Sequence, residues 1–489
     1  MREKKPLLHI RPEEAGIEPS AILRFLDRLE AREICMHSFL ILRGDRIAAE
    51  GYWAPYTKER LHRIYSASKS LVSVAVGLLE AEGRLSLDDT AASFFPEYVP
   101  AGGAHPFVMR ATVRDLLRMR SPFEGPPYDR HPDLDWMHAF FQAEGTHMPG
   151  TVFSYDSSAT VTLTALAEKC SGMPFIEYLR PRVLDPIGFS ENAYCAPCPD
   201  GILSHGASGV MCTTRDLAKF ALLCLHGGAW EGRQLIPAQY LKEAVSFQSD
   251  TSLCGHEYER AGYGYQFWRC RGNGFMLCGM KGQLAVCLPE QDFVLVTTAD
   301  TGLDAGGEQA IFDALWEELL PALGAAPRPK DESAYGVLLH RLASLALPAL
   351  AVRHPTPPLS DIHETVFHFG ENETGLRSCS FSFGESGVVW RFAAASGEAD
   401  SFMFGFGHTA RGTLGDTGME YLASGAWTEA SALRLRISLF SDEIGTAEIW
   451  AAFFSGGVTL RIRRAAENMP LGFSDGFASG FADPAPFTD

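Results

Sequence analysis

Six residues, Tyr65-Ser66-Ala67-Ser68-Lys69-Ser70, lead into Leu71-Val72-Ser73-Val74-Ala75-Val76-Gly77-Leu78-Leu79, a polar turn entering a nearly apolar stretch. The pattern predicts a buried helix that begins at Ser66, and a spacing of three puts the Ser66 hydroxyl and the Lys69 amine on one face of its first turn. A serine so placed is a nucleophile and the lysine its base, provided that the amine is held neutral. Apolar surroundings and the positive end of the helix dipole both disfavour the ammonium. The same dipole favours a negative oxygen forming beside the Ser66 N–H. Of the nine lysines, only Lys69 has a serine three residues before it. The competing reading is a helix cap at Ser66 beside a solvated Lys69.

Two further segments carry chemistry. In Pro149-Gly-Thr-Val-Phe-Ser-Tyr155-Asp-Ser157-Ser158 a loop runs into a helix expected from Ala159, which sets Tyr155 just before a helix start. A phenol there relays a proton if a neighbouring cation tunes it; otherwise it is a packing tyrosine. In Phe275-Met-Leu-Cys-Gly279-Met280-Lys281-Gly282-Gln283, on an expected strand, the glycines permit close approach of another backbone or of an acyl group whose carbonyl oxygen meets an N–H. Taken alone this is a bulge or a turn.

The elements that must hold these groups are legible as a coarse pattern. SFLILRGDRIAAEGYW, residues 38–53, predicts a hairpin, and strand-like runs return at 262–299 in GYGYQFWRC, GFMLCG, LAVCLP and FVLVTT. Between them the text is helical, with segments at 111–119, 159–170, 175–183 and 216–226, the last opened by Thr213-Thr214-Arg215-Asp216, a hydroxyl followed by a carboxylate three residues on. Strands that bracket a helical block close one antiparallel sheet, and a helix at 310–323 covers it. Residues 1–325 are thus an α+β unit with a helical subdomain. Residues 326–359 read as a helix and a Pro-rich linker, and 360–489 as an all-β sandwich or barrel.

Composition narrows the class. The chain has 489 residues, 46% hydrophobic and 21% charged, with a formal charge of −18, so it repels phosphate backbones and anionic lipid. Half of that charge falls between 361 and 489, where eight Arg and no Lys face seventeen Asp and Glu. No nucleic-acid or membrane role is expected. The first fifteen residues lack a signal-peptide core, and eleven scattered cysteines then read as free thiols in a cytoplasmic protein. His363 and His368 lie five apart in strand-like text and suit no metal, and Cys195-Ala-Pro-Cys198 is a lone pair in a loop. No G-x-S-x-G, Walker A or G-x-G-x-x-G stretch competes for the catalytic assignment.

Ser66-x-x-Lys69, then Tyr155-x-Ser157, then Gly279-Met-Lys-Gly-Gln283, taken in this order, resemble the penicillin-recognising serine hydrolases, in the branch of class C β-lactamases, DD-peptidases, family VIII esterases and 6-aminohexanoate-dimer hydrolases. Flanking text such as SGVMCTTRDLAKFALLCLHGG is similar to that family's landmarks, and the likeness spans about residues 20–320. The resemblance implies that Ser66 is acylated, that Lys69 activates it and that Tyr155 relays protons to the leaving group and the hydrolytic water. It implies an oxyanion hole from the N–H groups of Ser66 and Gly282, with Ser157, Gly279, Met280 and Lys281 touching substrate. No metal or organic cofactor is needed, because the serine ester divides one displacement into two. The Lys-Thr-Gly signature is replaced by Gly279-Met280-Lys281, and Ser157 stands where class C β-lactamases have Asn, which favours an intracellular esterase or amidase acting on a small ester, amide or short peptide. Lys281 is a candidate cation for an anionic substrate. The alternatives are a β-lactamase or D-amino-acid peptidase, and a silent binding protein on the same scaffold. Oligomeric state is left open.

Overall fold

The computed structural model describes residues 7–304, 306–440, 444–465 and 472–482. Chain contacts divide it into two units, one of residues up to Ala299 together with Gly306–Leu345, the other of Asp300–Ala305 together with Ala346 onward.

In the first unit the hairpin and the late strands form one seven-stranded sheet in the order Leu8–His9, Arg46–Tyr52, Met36–Arg43, Phe293–Ala299, Gln283–Leu288, Gly274–Gly279 and Trp268–Cys270. Its neighbours run antiparallel except for the two-residue parallel pairing of Leu8–His9 with Arg46 and Ile47. Central strands such as Phe293–Ala299 are buried at every position, which is why their text is continuously apolar instead of alternating. Helix Pro19–Ala31 sets Phe25 against Phe39 of the sheet, with ring centroids 5.9 Å apart. Helix Thr214–Leu225 packs on strands Met36–Arg43, Gln283–Leu288 and Phe293–Ala299, and its start carries the capping box expected from Thr213 and Asp216. GYGYQFW contributes a strand only from Trp268, because Gly264 lies against the Ala244 carbonyl and the chain is still in a loop there.

Two boundaries differ from the sequence expectation. Helix Glu332–Ala343, assigned to a linker, buries Leu338 in the core of the first unit, and the Arg11 guanidinium sits 4.1 Å above the Tyr335 ring. The six residues 300–305 belong with the second unit, where Thr446 donates to Asp300 at 2.7 Å. That unit is a closed β-barrel. Ten strands from Val366–Phe369 to Gly476–Phe481 form one sheet, and Ala399–Phe406 returns to Met419–Glu429 through the parallel pairs Gly405 with Ser424 and Phe406 with Gly425. Alternate residues of Leu376–Phe383 point inward, and a cluster with Phe381, Trp390, Phe392 and Phe402 fills the interior.

Candidate active site

The Ser66 segment is built differently from a plain helix start. Tyr65–Ala67 form one 3₁₀ turn and the α-helix runs Ser68–Ala81, so Ser66 precedes the helix instead of opening it. Tyr65 has φ of 45°, in the left-handed region a tyrosine rarely occupies. The helix is buried almost throughout, and its three other serines are satisfied: Ser68 Oγ accepts from Val210 N at 3.1 Å, Ser70 Oγ donates to Gln266 O at 2.6 Å, and Ser73 Oγ meets Tyr240 OH at 2.9 Å. Gly77 leaves room for the Tyr240 ring, which comes within 2.4 Å of where a Cβ would stand.

Lys69 is 2% exposed, and its Nζ lies 3.0 Å from Ser66 Oγ, 3.2 Å from Ser157 Oγ and 2.8 Å from the Ala207 carbonyl oxygen. The carbonyl can only accept, whereas each hydroxyl can donate or accept. A neutral amine therefore satisfies all three by giving its two N–H groups to Ala207 O and Ser157 and turning its lone pair to the Ser66 O–H. The Tyr155 ring lies 5.1 Å from Nζ and stacks on Trp268 at 5.5 Å. Burial pushes its phenol well above the usual range, against a hydrogen bond with Ser66, so it carries its proton at neutral pH. Ser157 opens helix Ser157–Ser171, whose cap is Asp156: its carboxylate accepts from Ser158 N at 2.8 Å and from Ser121 Oγ at 2.7 Å.

Gly279 ends strand Gly274–Gly279, and a Cβ on it would stand 2.1 Å from Ile64 O and 3.2 Å from Ala67 N. The strand end thus lies directly against the Ser66 turn, and any side chain there forces one of the two to move. The next three residues leave the strand. Met280 is 38% exposed, Lys281 adopts φ of 66° with its N–H donating to Glu308 at 2.7 Å, and buried Gly282 accepts through its carbonyl from Thr297 at 2.8 Å. Lys281 is 6% exposed, its Nζ 5.6 Å from the Tyr65 ring centre, and its charge helps to depress buried His37 and His62, after burial itself.

Several neighbours were invisible to motif reading. The Ala207 carbonyl is backbone and leaves no side-chain signature. Tyr128 stacks on Trp136 at 4.2 Å, and Trp136 sits edge-on to His205 at 4.9 Å. Burial and the charge of Asp156 push the Tyr128 phenol up, and a hydrogen bond with Ser157 opposes the rise. Burial, then the charges of Arg63 and Lys69, bring His205 down to about 3, so it is neutral at physiological pH. Asp156 was legible as a cap, standing before two serines and an apolar helix. Outside the site, all eleven cysteines are free thiols, and His363 Nδ1 accepts from Phe383 N at 3.1 Å. Among the described residues no group of three metal-ligating side chains forms, and no helix is long and apolar enough to cross a membrane.

The family model for Beta-lactamase matches residues 29–317, more than half of the chain. The 6-aminohexanoate-dimer hydrolase of Paenarthrobacter ureafaciens is 25% identical over 316 residues, 58% of this chain and 78% of that one. Esterase EstB of Burkholderia gladioli is 28% identical over 181 residues, 33% of this chain and 45% of its own. The octameric penicillin-binding protein homologue from Pyrococcus abyssi aligns with 94% of this chain and 99% of its own at 15% identity and a TM-score of 0.47.

Proposed function

The chain belongs to the Beta-lactamase family and is a serine hydrolase, and from that premise we propose that it cleaves carboxylic esters or amides through an acyl-enzyme on Ser66. The observation that carries this reading is the 3.0 Å contact between Ser66 Oγ and the buried Lys69 Nζ.

Lys69 takes the Ser66 proton as Oγ attacks the carbonyl carbon. It keeps its place by donating to Ala207 O and Ser157 Oγ, so the base needs no reorientation when it becomes an ammonium. The oxyanion that forms is held by two backbone N–H groups. One is that of Ser66. We place the other at Met280 rather than at Gly282, because Gly279 is the residue in closest approach to Ile64–Ala67 and the Met280 N–H follows it directly, whereas Gly282 lies at the buried end of the turn. Tyr155, protonated and beside both Ser66 and Lys69, gives its proton to the leaving group and regains one from Lys69. The same steps with water in place of the departed group release the acid and restore the free serine.

Intact mass after treatment with a fluorophosphonate or an activated ester tests this directly. One adduct is expected, located at Ser66 and abolished in Ser66→Ala. Absence of any serine adduct in the folded protein overturns the proposal. A panel of p-nitrophenyl esters, short amides, D-amino-acid peptides and nitrocefin then separates esterase or amidase action from turnover of β-lactams.

A further inference from the structure

Beside the cluster just described lies a groove of about 370 Å³, within the size range of small-molecule sites. Tyr155 lines it together with the segment Thr151, Val152 and Phe153 and the loop holding Leu253 and Cys254. Two of its lips are apolar side chains left in water, Val152 at 56% exposure and Leu253 at 99%. A ligand that covers them recovers hydrophobic free energy.

The charges along the groove settle what kind of chain fits. Arg120 lines it, but its Nε donates to Ser249 at 2.8 Å, one terminal nitrogen to Gly150 O at 3.0 Å and the other to Gln248 O at 3.0 Å. Each of the three nitrogens is thus held by the protein, which fixes the guanidinium plane and leaves one N–H on each terminal nitrogen. Asp250 also lines the groove, with its carboxylate accepting from Ser252 N at 2.9 Å. It opposes an anion at the rim. The groove thus sets exposed apolar side chains beside one guanidinium already tied to the protein by three hydrogen bonds and one carboxylate that repels anions.

We infer that this groove is the leaving-group subsite and that it takes an uncharged apolar chain, so that the preferred substrates are esters or amides of apolar alcohols or amines. The inference rests on the proposed role of Tyr155: the bond that breaks joins the acyl carbon to the leaving oxygen or nitrogen, that atom receives the Tyr155 proton, and whatever hangs from it starts beside Tyr155 in the groove. Val152 and Leu253 are then specificity-determining residues outside the catalytic machinery.

Alkyl acetates from methyl to hexyl, followed by proton release, test this, because every member gives the same acetyl-enzyme and differs only in the leaving group. In the wild-type protein kcat/KM is expected to rise about two- to fourfold per methylene until the groove is filled. In Leu253→Asp and Val152→Asp, both at exposed positions that the fold does not depend on, the rise flattens while methyl acetate is turned over as before. A flat series in the wild type, an undiminished slope in both variants, or faster turnover of a chain ending in carboxylate than of a neutral chain of equal length would each overturn the inference. Persistence of methyl acetate turnover in Ser66→Ala reports on the catalytic centre instead, and identifies that reading as the one that fails.

Discussion

Replacing Gly279 by alanine isolates the contact on which the site's geometry depends. The residue has φ of −117° and ψ of 144°, ordinary extended values that alanine adopts without strain, so the only change is one methyl group. That methyl would stand 2.1 Å from Ile64 O, and neither partner is a side chain that can swing aside. Ordinary contact starts at 3.4 Å, so the strand end or the nucleophile turn must retreat by about 1.3 Å. Overpacking of this kind costs on the order of 1–3 kcal/mol of stability, which a domain of this size survives. A displacement of about 1 Å at reacting groups costs on the order of 10²-fold in rate. Gly279→Ala is therefore expected to stay folded, to lose about two orders of magnitude in kcat on p-nitrophenyl acetate, and to unfold at a lower urea concentration. Gly336→Ala serves as the control, since a Cβ there meets nothing within 4 Å in a helix interior, and stability should hold or rise by about 0.5–1 kcal/mol. Wild-type kcat in Gly279→Ala would refute the argument that this strand end and the Ser66 turn are fixed against each other.

Tyr155→Phe keeps the ring on Trp268 and removes only the hydroxyl, so kcat/KM on esters with poor leaving groups is expected to fall about 10²–10⁴-fold; an unchanged rate would remove Tyr155 from the reaction. Ser157→Ala takes away one of the three oxygens around Lys69 Nζ and is expected to cost about tenfold in kcat, roughly the worth of one hydrogen bond, with little change in the urea midpoint. The third prediction concerns pH. His62, buried and held down to about 4, stays neutral in the folded protein while the unfolded chain binds a proton below about 6.5. Stability is thus lost as pH falls through that window, by about 2 kcal/mol between pH 7 and 5. Urea unfolding of His62→Gln should show a correspondingly shallower decline over the same range, and an equal decline in both proteins would assign the effect to other groups.

How much of this was legible beforehand follows from where each interaction lives. Ser66 and Lys69 are three apart in sequence and meet within one local turn, so spacing alone brings them together. The capping box at Thr213 is likewise local, and it formed as expected. Gly279 could be singled out as a place of close approach, but nothing in a strand's own residues says that the approaching backbone is Ile64–Ala67, more than two hundred residues away. The left-handed backbone of Tyr65 was not legible, because nothing at a tyrosine in the sequence signals a positive φ. The family resemblance offered Lys281 as a cation for an anionic substrate, and the turn that lays its side chain over Tyr65 has no signal in strand-like text. The barrel was readable as alternation in strands such as Leu376–Phe383, and closure was not, since it depends on two residue pairs between distant strands.

The pairing of strand Met36–Arg43 with Phe293–Ala299 has a consequence for the timing of biosynthesis. The serine-bearing segment leaves the ribosome early, yet the strand that abuts it, Gly274–Gly279, and the one that completes the middle of the sheet come over two hundred residues later. At about 5–20 residues per second that is an interval of roughly 10–40 s. During it the Ser66 turn lacks the strand end at Gly279 that packs against it, and with it the second backbone donor proposed above. A product truncated before residue 274 is therefore expected to give no fluorophosphonate adduct at Ser66, which intact mass would read.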